Sequence, residues 1–296
     1  MTARVVGATA ANDLVLPVAG RFDLEFAGRF LRGWPPATHS GRSADGALRL
    51  AFVTDDMTSV AGVAVRPARS GGLHATFTDP ATAALVAQVR RILSLDLDGA
   101  AFDALGRRND ALGRLQARSA GARPVLFASP YEAAVWAVLS ARTPAARAAH
   151  LRRELMAGHG GVLDVDGETL PTLPIPRRLL AVDALPGTPA EKIRRLHGVA
   201  QAAIDGVLDA AALTALAPGE LIGRLKSIRG IGDFYATLIA GRAIGAALIP
   251  AGERRLLAAA GDLVGADGPL TEAEFGLLAS DWQPFHGWAA FLLRAT

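Results

Sequence analysis

Residues 225–253 read LKSIRGIGDFYATLIAGRAIGAALIPAGE, and the reading of this stretch decides the fold. Leu225 and Ile228 are spaced as on one face of a helix. The helical pattern breaks at Arg229-Gly230-Ile231-Gly232 and resumes as an apolar helix from about Phe234. Two glycines bracketing one aliphatic residue make a tight turn that suits residues without Cβ. The first N–H groups of the next helix then lack intrahelical partners and lie at the positive end of its dipole, where an anion or a phosphate is favoured. Ile231, between the glycines, would plug the two helices together from inside. A helix-hairpin-helix of this kind grips a nucleic-acid backbone without reading its sequence. The glycines alone fit an ordinary αα-hairpin equally well.

Composition sets the outer bounds. The 296 residues suffice for one large or two to three small domains with a sizeable core. The formal net charge is +3, and only Lys192 and Lys226 among 31 basic residues are lysine, which leaves 29 arginines. Arginine suits bidentate phosphate contact, so this composition permits nucleic acid, although coding bias with abundant Ala and Gly gives the same ratio. The absence of cysteine excludes disulfides, thiolate zinc sites and cysteine-bound iron–sulfur clusters. No uncharged apolar run reaches the roughly 18 residues of a membrane span, the best candidate being interrupted by Arg242. The N-terminal MTARVVGATAANDL is too weak for a secretory leader, so the cytoplasm is the expected compartment. His39, His74, His150, His159, His197 and His286 show no metal-ligand spacing, and no phosphate loop or nucleophile elbow is present.

In chain order, residues 1–20 read as an irregular lead-in. Phe22, Phe26, Phe30 and Leu31 have helical spacing, stopped by Gly33 and Pro35-Pro36. The period then changes to two at Leu48, Leu50 and Phe52, at Val63 and Val65, and at Leu73, Ala75 and Phe77. With turns at Asp55-Asp56 and Ser70-Gly71-Gly72, this predicts an antiparallel meander with one wet face. Asp79-Pro80 is expected to cap a helix to about Leu95 that covers the sheet through Leu85, Val89, Ile92 and Leu93. Beyond it nothing alternates, and the C-terminal two-thirds reads as all-helical. Ser129-Pro130-Tyr131-Glu132, Thr188-Pro189-Ala190-Glu191 and Thr271-Glu272-Ala273-Glu274 read as capping boxes. A proline-rich loop spans residues 171–176.

These motifs together resemble the DNA-3-methyladenine glycosylase II family of the helix-hairpin-helix glycosylase superfamily, over nearly the whole chain. Leu16-Pro17 before Phe22-Asp23 resembles its N-terminal entry, and Pro130-Tyr131-Glu132-Ala133 leading to Val138-Leu139-Ser140 its first long core helix. Ile228-Arg229-Gly230-Ile231-Gly232 followed by Ala236 resembles its hairpin. Trp282-Gln283-Pro284-Phe285-His286-Gly287-Trp288-Ala289-Ala290 resembles its closing motif. The resemblance implies an α+β chain: a small N-terminal antiparallel-sheet domain, 1–110, then an all-helical glycosylase core, 111–296. In that core the DNA cleft would lie between two helical subdomains.

The family hydrolyses the N-glycosidic bond of a damaged, typically alkylated, base in double-stranded DNA. The resemblance therefore implies a DNA repair enzyme and a monomer; with Lys226 preceding the hairpin in the wrong place for a nucleophile, no lyase step is expected, and no cofactor or iron–sulfur cluster is expected. The family's catalytic Asp follows the proline after the hairpin; here Pro250-Ala251-Gly252 leads to Glu253, a longer carboxylate at the matching place. The resemblance further implies that Arg229, Gly230, Ile231 and Gly232 bind DNA. Arg142, where the family carries a wedge residue, would fill the gap left by the flipped base. Phe30, Phe234 and Tyr235 would wall the base pocket, while Arg294 stands where the family has a late pocket aromatic. The main-chain carbonyls of Lys226, Ile228 and Ile231 are the implied ligands of a monovalent Na+ or K+. The alternative is a relative that binds DNA without excising bases, which the Glu253, Arg142 and Arg294 departures favour.

Overall fold

The computed structural model describes residues 12–37, 41–42, 45–69 and 71–295; the expectations for residues 1–11, His39 and Ser70 lie outside them. Five antiparallel strands form the N-terminal sheet: β1 (Asp13–Leu16), β2 (Gly41–Arg42), β3 (Leu48–Val53), β4 (Val60–Pro67) and β5 (Leu73–Phe77). Their spatial order is β1-β5-β4-β3-β2. The three central strands are the expected meander, with Leu50 opposite Val63 and Val65 opposite Ala75. The lead-in is not irregular throughout: Leu16 pairs with Leu73 and is buried, which makes β1 an edge strand. Helices α1 (Leu24–Gly33) and α2 (Ala83–Ile92) cover one face through Leu24, Ala27, Leu31, Leu85, Val89 and Ile92. Asp23 caps α1 by accepting the Phe26 N–H at 2.9 Å. Thr82, and not Asp79-Pro80, caps α2.

The expected wet face remains partly open at β5 and β1, where His74 and Thr76 alternate with buried residues opposite exposed Val15 and Asp13, but it is covered at β3 and β4. Every residue of β3 is buried, because Ala51 and Ala64 pack against Val165 and Leu170 of a second, two-stranded ribbon. Its strands, β6 (Val162–Val165) and β7 (Glu168–Pro171), interrupt the supposedly all-helical region. Asp166 and Gly167 at the tip have φ of 54° and 81°, the two positive values that a type I′ hairpin turn demands of its central pair. Arg49 locks the ribbon to the sheet, donating to Asp45 Oδ2 and Asp166 Oδ2 at 2.8 Å each.

A second core is built on α5 (Pro130–Ser140), α6 (Ala145–His159), α7 (Pro176–Leu179), α8 (Ala190–Ile204), α9 (Ala210–Thr214), α10 (Pro218–Lys226) and α11 (Asp233–Ala243). Helix α5 is buried from Pro130 through Leu139, which explains why its sequence is apolar on all sides. Only half of the expected capping box forms at its start. Ser129 accepts the Glu132 N–H at 3.2 Å, but Glu132 turns away to accept the Val53 N–H at 3.2 Å and to pair with buried Arg152 at 3.4 Å. The box expected at Thr188 is absent as well: Pro189 is the N-cap of α8 and no side chain caps it, and Glu191 binds Arg194 and Arg195. The box at Thr271 and Glu274 is complete.

The third core joins distant parts of the chain. Helices α3 (Gly99–Gly106) and α4 (Asp110–Arg118) pack on α12 (Arg254–Val264), α13 (Glu272–Ser280) and α14 (His286–Ala295). Trp288 stacks on Phe102 with ring centroids 4.0 Å apart, and its indole N–H donates to the Ala122 carbonyl at 2.9 Å. Trp282 is fully buried and donates to Asn109 Oδ1 at 3.3 Å. Helix α1 faces two cores, since Phe26 belongs to this one. Arg123, 1% exposed, sits at the seam. It donates to the carbonyls of Ser94 and Leu97 at 2.9 and 2.7 Å.

Candidate functional site

The hairpin lies between α10 and α11. Gly230 adopts φ 96°, and an added Cβ would stand 2.9 Å from Arg195 Cδ. Ile228 and Ile231 are buried, each 4% exposed, and the Ile231 N–H donates to the Ile228 carbonyl at 3.0 Å. Ile231 is thus the expected plug. Gly232 is the N-cap residue of α11 and supplies no side-chain hydrogen bond, which leaves the helix N-terminus suited to an external anion. Asp233 is the first helical residue, and its carboxylate pairs with Lys226 Nζ at 2.6 Å, which holds its pKa below the usual carboxylate range. Arg229 projects into solvent beside Glu191, 3.4 Å away. Gly230→Ala is expected to cost about 1–2 kcal/mol by forcing an L-residue to positive φ, and denaturant titration checks this.

Arg142 follows α5 in a left-handed conformation, φ 53°, and its side chain is exposed. A bulky residue held at positive φ is uncommon and needs surrounding support. Lys192 supplies it: Nζ donates to the carbonyls of Leu139 and Ala141 at 2.8 and 3.2 Å and to Thr143 Oγ1 at 2.7 Å. Burial, and then the charge of Arg195, push the Lys192 pKa down. Ser140 donates to the Tyr235 hydroxyl at 3.3 Å, which ties this loop to α11. Lys192 carries no sequence signal for this role, since its partners are mainly main-chain atoms on a separate helix.

Glu253 is the N-cap residue of α12, but its side chain makes no capping hydrogen bond. Its Oε2 instead accepts from Arg294 Nη1 at 3.1 Å, with the two side chains 20% and 26% exposed. Glu253 lines one cavity of about 360 Å3 with Pro250, Leu257, Gln283 and His286. Arg294 lines a second cavity of about 360 Å3 with Arg242, Leu248, Pro250 and Phe291. The carboxylate therefore lines one concavity and is paired to a guanidinium that lines the other.

The three expected pocket aromatics do not form one cluster. The Phe30 ring contacts Phe26, Trp34 and Phe291, whereas the Phe234 ring contacts Tyr235, 5.3 Å away on α11. Phe234 is 44% exposed. The cage of Phe30, Trp34 and Phe291 encloses the guanidinium of Arg242, a residue that showed in the sequence only as a charge inside an apolar helix. Among the described residues no group of three or more His, Asp or Glu side chains could hold a metal. No helix among them is long and apolar enough to cross a membrane.

The hairpin between α10 and α11, the helical core around α5 and the third core closed by α14 together make up a fold shared with solved DNA glycosylase structures. Among solved structures, a 3-methyladenine DNA glycosylase from Archaeoglobus fulgidus superposes with a TM-score of 0.77 at 18% identity, covering 95% of this chain and 97% of its own. The Clostridium acetobutylicum 8-oxoguanine glycosylase/lyase, bound to DNA with cytosine opposite 8-oxoguanine, gives 0.64 at 14% identity and covers 92% and 91%. A DNA-3-methyladenine glycosidase from Bacillus halodurans gives 0.52 at 20% identity, over 65% of this chain and 86% of its own. No protein-family model and no curated protein matches the sequence. Likeness at these identities defines the fold, and substrate and activity rest on the site.

Proposed function

We propose that this chain is a monofunctional DNA glycosylase that excises a damaged base from double-stranded DNA, with Glu253 as its catalytic carboxylate. The observation that carries this reading is the position of Glu253. It is the N-cap residue of α12, past the hairpin's second helix; its carboxylate makes no capping hydrogen bond, lines one concavity and pairs with Arg294, which lines the other. In the proposed reaction the uncapped start of α11, with Arg229 and Gly230, holds a backbone phosphate. The main-chain carbonyls of Lys226, Ile228 and Ile231, of which that of Ile228 also accepts the Ile231 N–H, would hold a Na+ or K+ that supplies positive charge at the hairpin. Arg142 enters the stack as the base swings out, and Phe30, Phe234 and Tyr235 contact the base or its neighbours. The bond from the sugar to the base breaks with its electron pair leaving on the base. The Glu253 carboxylate stabilises the positive charge left on the sugar, and water then adds there and gives up a proton.

A lyase step needs an amine nucleophile. The chain has two lysines; Lys226 is paired with Asp233 and Lys192 is bound to the α5 terminus. Both placements support monofunctional chemistry. Alkylated bases are the first class to test, alongside deaminated and oxidised ones. The experiment is incubation of the protein with duplexes carrying each lesion. Free base and alkali-labile abasic sites, without direct strand cleavage, are the expected products. Direct strand nicking would contradict the monofunctional reading. The pairing of Arg294 with Glu253 supports a second reading, a relative that binds duplex DNA without excision. It predicts salt-sensitive duplex binding with no base released from any lesion.

A further inference from the structure

We infer that Arg242 determines the charge class of base the site accepts, favouring an uncharged base that carries a carbonyl over a cationic N-alkylated one. This rests on the glycosylase reading above. The guanidinium lies 5.3 Å from the Phe30 ring centroid, 4.7 Å from that of Trp34 and 4.9 Å from that of Phe291. An aromatic cage of this kind draws cations to its ring faces, and here the chain's own cation fills it. Arg242 is also fastened there: Nη2 donates to the Val125 carbonyl at 2.8 Å, and its main-chain carbonyl accepts the Phe127 N–H at 2.7 Å. The residue is not free to leave the cage for an incoming base.

Two features turn the plug into a recognition device. The buried Nε–H of Arg242 has no hydrogen-bond partner among the described residues, and an unmet buried donor calls for an acceptor. Arg242 and Arg294 both line the 360 Å3 cavity; Arg294 is paired with Glu253, whereas Arg242 has no carboxylate partner among the described residues, so a cationic occupant meets the uncompensated charge of Arg242. The other ionic side chains of that lining are committed: Arg90 pairs with Asp96, and Arg91 pairs with Asp55 at 2.5 Å. Burial, then the charge of Arg294, push the Arg242 pKa down to about 9, which leaves it charged at neutral pH.

The leaving group points the same way. When the bond between sugar and base breaks, its electron pair departs with the base. An uncharged base leaves as an anion, which the guanidinium stabilises and which solvent then protonates. A cationic base leaves neutral and gains nothing from a nearby cation.

The test uses the full chain and duplexes with 2′-fluorinated sugars, which present a lesion without cleavage. Hypoxanthine and 7-methylguanine both carry a carbonyl and differ in charge. Wild-type protein is expected to bind the hypoxanthine duplex about tenfold or more tightly than the 7-methylguanine duplex, the scale of a like-charge penalty. Arg242→Met is expected to erase that gap. Equal affinity, or tighter binding of 7-methylguanine, by the wild type overturns the inference even if the variant does not fold. Base release from the same lesions on ordinary sugars separates the two readings. A retained hypoxanthine preference with no release counts against the glycosylase and supports the role of Arg242.

Discussion

Glu253→Gln is expected to lower single-turnover base release at least about a hundredfold, the scale of losing one preorganised electrostatic partner of a transition state. The substitution keeps shape and removes charge. Its effect should therefore fall on the rate of bond breaking and not on duplex affinity, which the proposed phosphate contacts of the hairpin would supply. The structural alternative for Glu253, anchoring Arg294 at 3.1 Å, predicts a different outcome. Glutamine can still accept from the guanidinium, so an anchoring role alone would leave release nearly unchanged. Glu253→Asp separates reach from charge. It retracts the carboxylate by about 1 Å, a displacement that costs about a hundredfold where catalytic geometry is tight. Melting temperature measured in parallel shows whether either variant acts through the fold.

Arg152→Met is expected to carry the largest cost in stability, about 3–5 kcal/mol, because it strands a buried carboxylate. Glu132 and Arg152 are 6% and 5% exposed and pair at 3.4 Å where α5, α6 and the end of β3 meet. Burial pushes the Glu132 carboxyl up, opposed by the Arg152 charge and the Val53 N–H. Without Arg152 the upward push is unopposed by that charge. A carboxyl whose folded pKa exceeds its unfolded value near 4.5 binds the proton more tightly when folded. Stability of the variant should thus fall as pH rises from about 4.5 through the raised value, and return on acidification. Urea titrations at pH 5 and pH 8 read this slope. Glu132→Leu combined with Arg152→Met should recover most of the loss, since a matched apolar pair has no charge to desolvate.

The parts of the fold that were legible in sequence are those where local pattern and tertiary demand agree. The alternation in β3, β4 and β5 and the break at Gly230 express a period and a backbone constraint that the structure uses directly. The capping box at Thr271 formed because both partners lie in open solvent with no rival. At Glu132 a buried arginine outcompeted the cap, and at Thr188 the partner Glu191 was taken by arginines. Asp166-Gly167 was a legible turn dipeptide, masked by the helical run on either side. The arginine excess was the least readable feature. Arg49, Arg91, Arg123, Arg152 and Arg242 serve as internal clamps on carbonyls, carboxylates and rings. Composition alone cannot distinguish such clamps from phosphate ligands, because only tertiary contacts decide which guanidinium is buried. A lone charge in an apolar helix was nonetheless a usable flag at Arg242.

Affinity for two abasic duplexes tests the role of Glu253 most directly. One carries a neutral tetrahydrofuran in place of the damaged nucleoside, and the other a cationic pyrrolidine that mimics the charged sugar. A site built to stabilise that charge binds its mimic far more tightly than the neutral ring. Wild-type protein should favour the pyrrolidine duplex by about a hundredfold or more, and Glu253→Gln should lose that preference. Equal affinity of the wild type for both duplexes would contradict a catalytic carboxylate at Glu253.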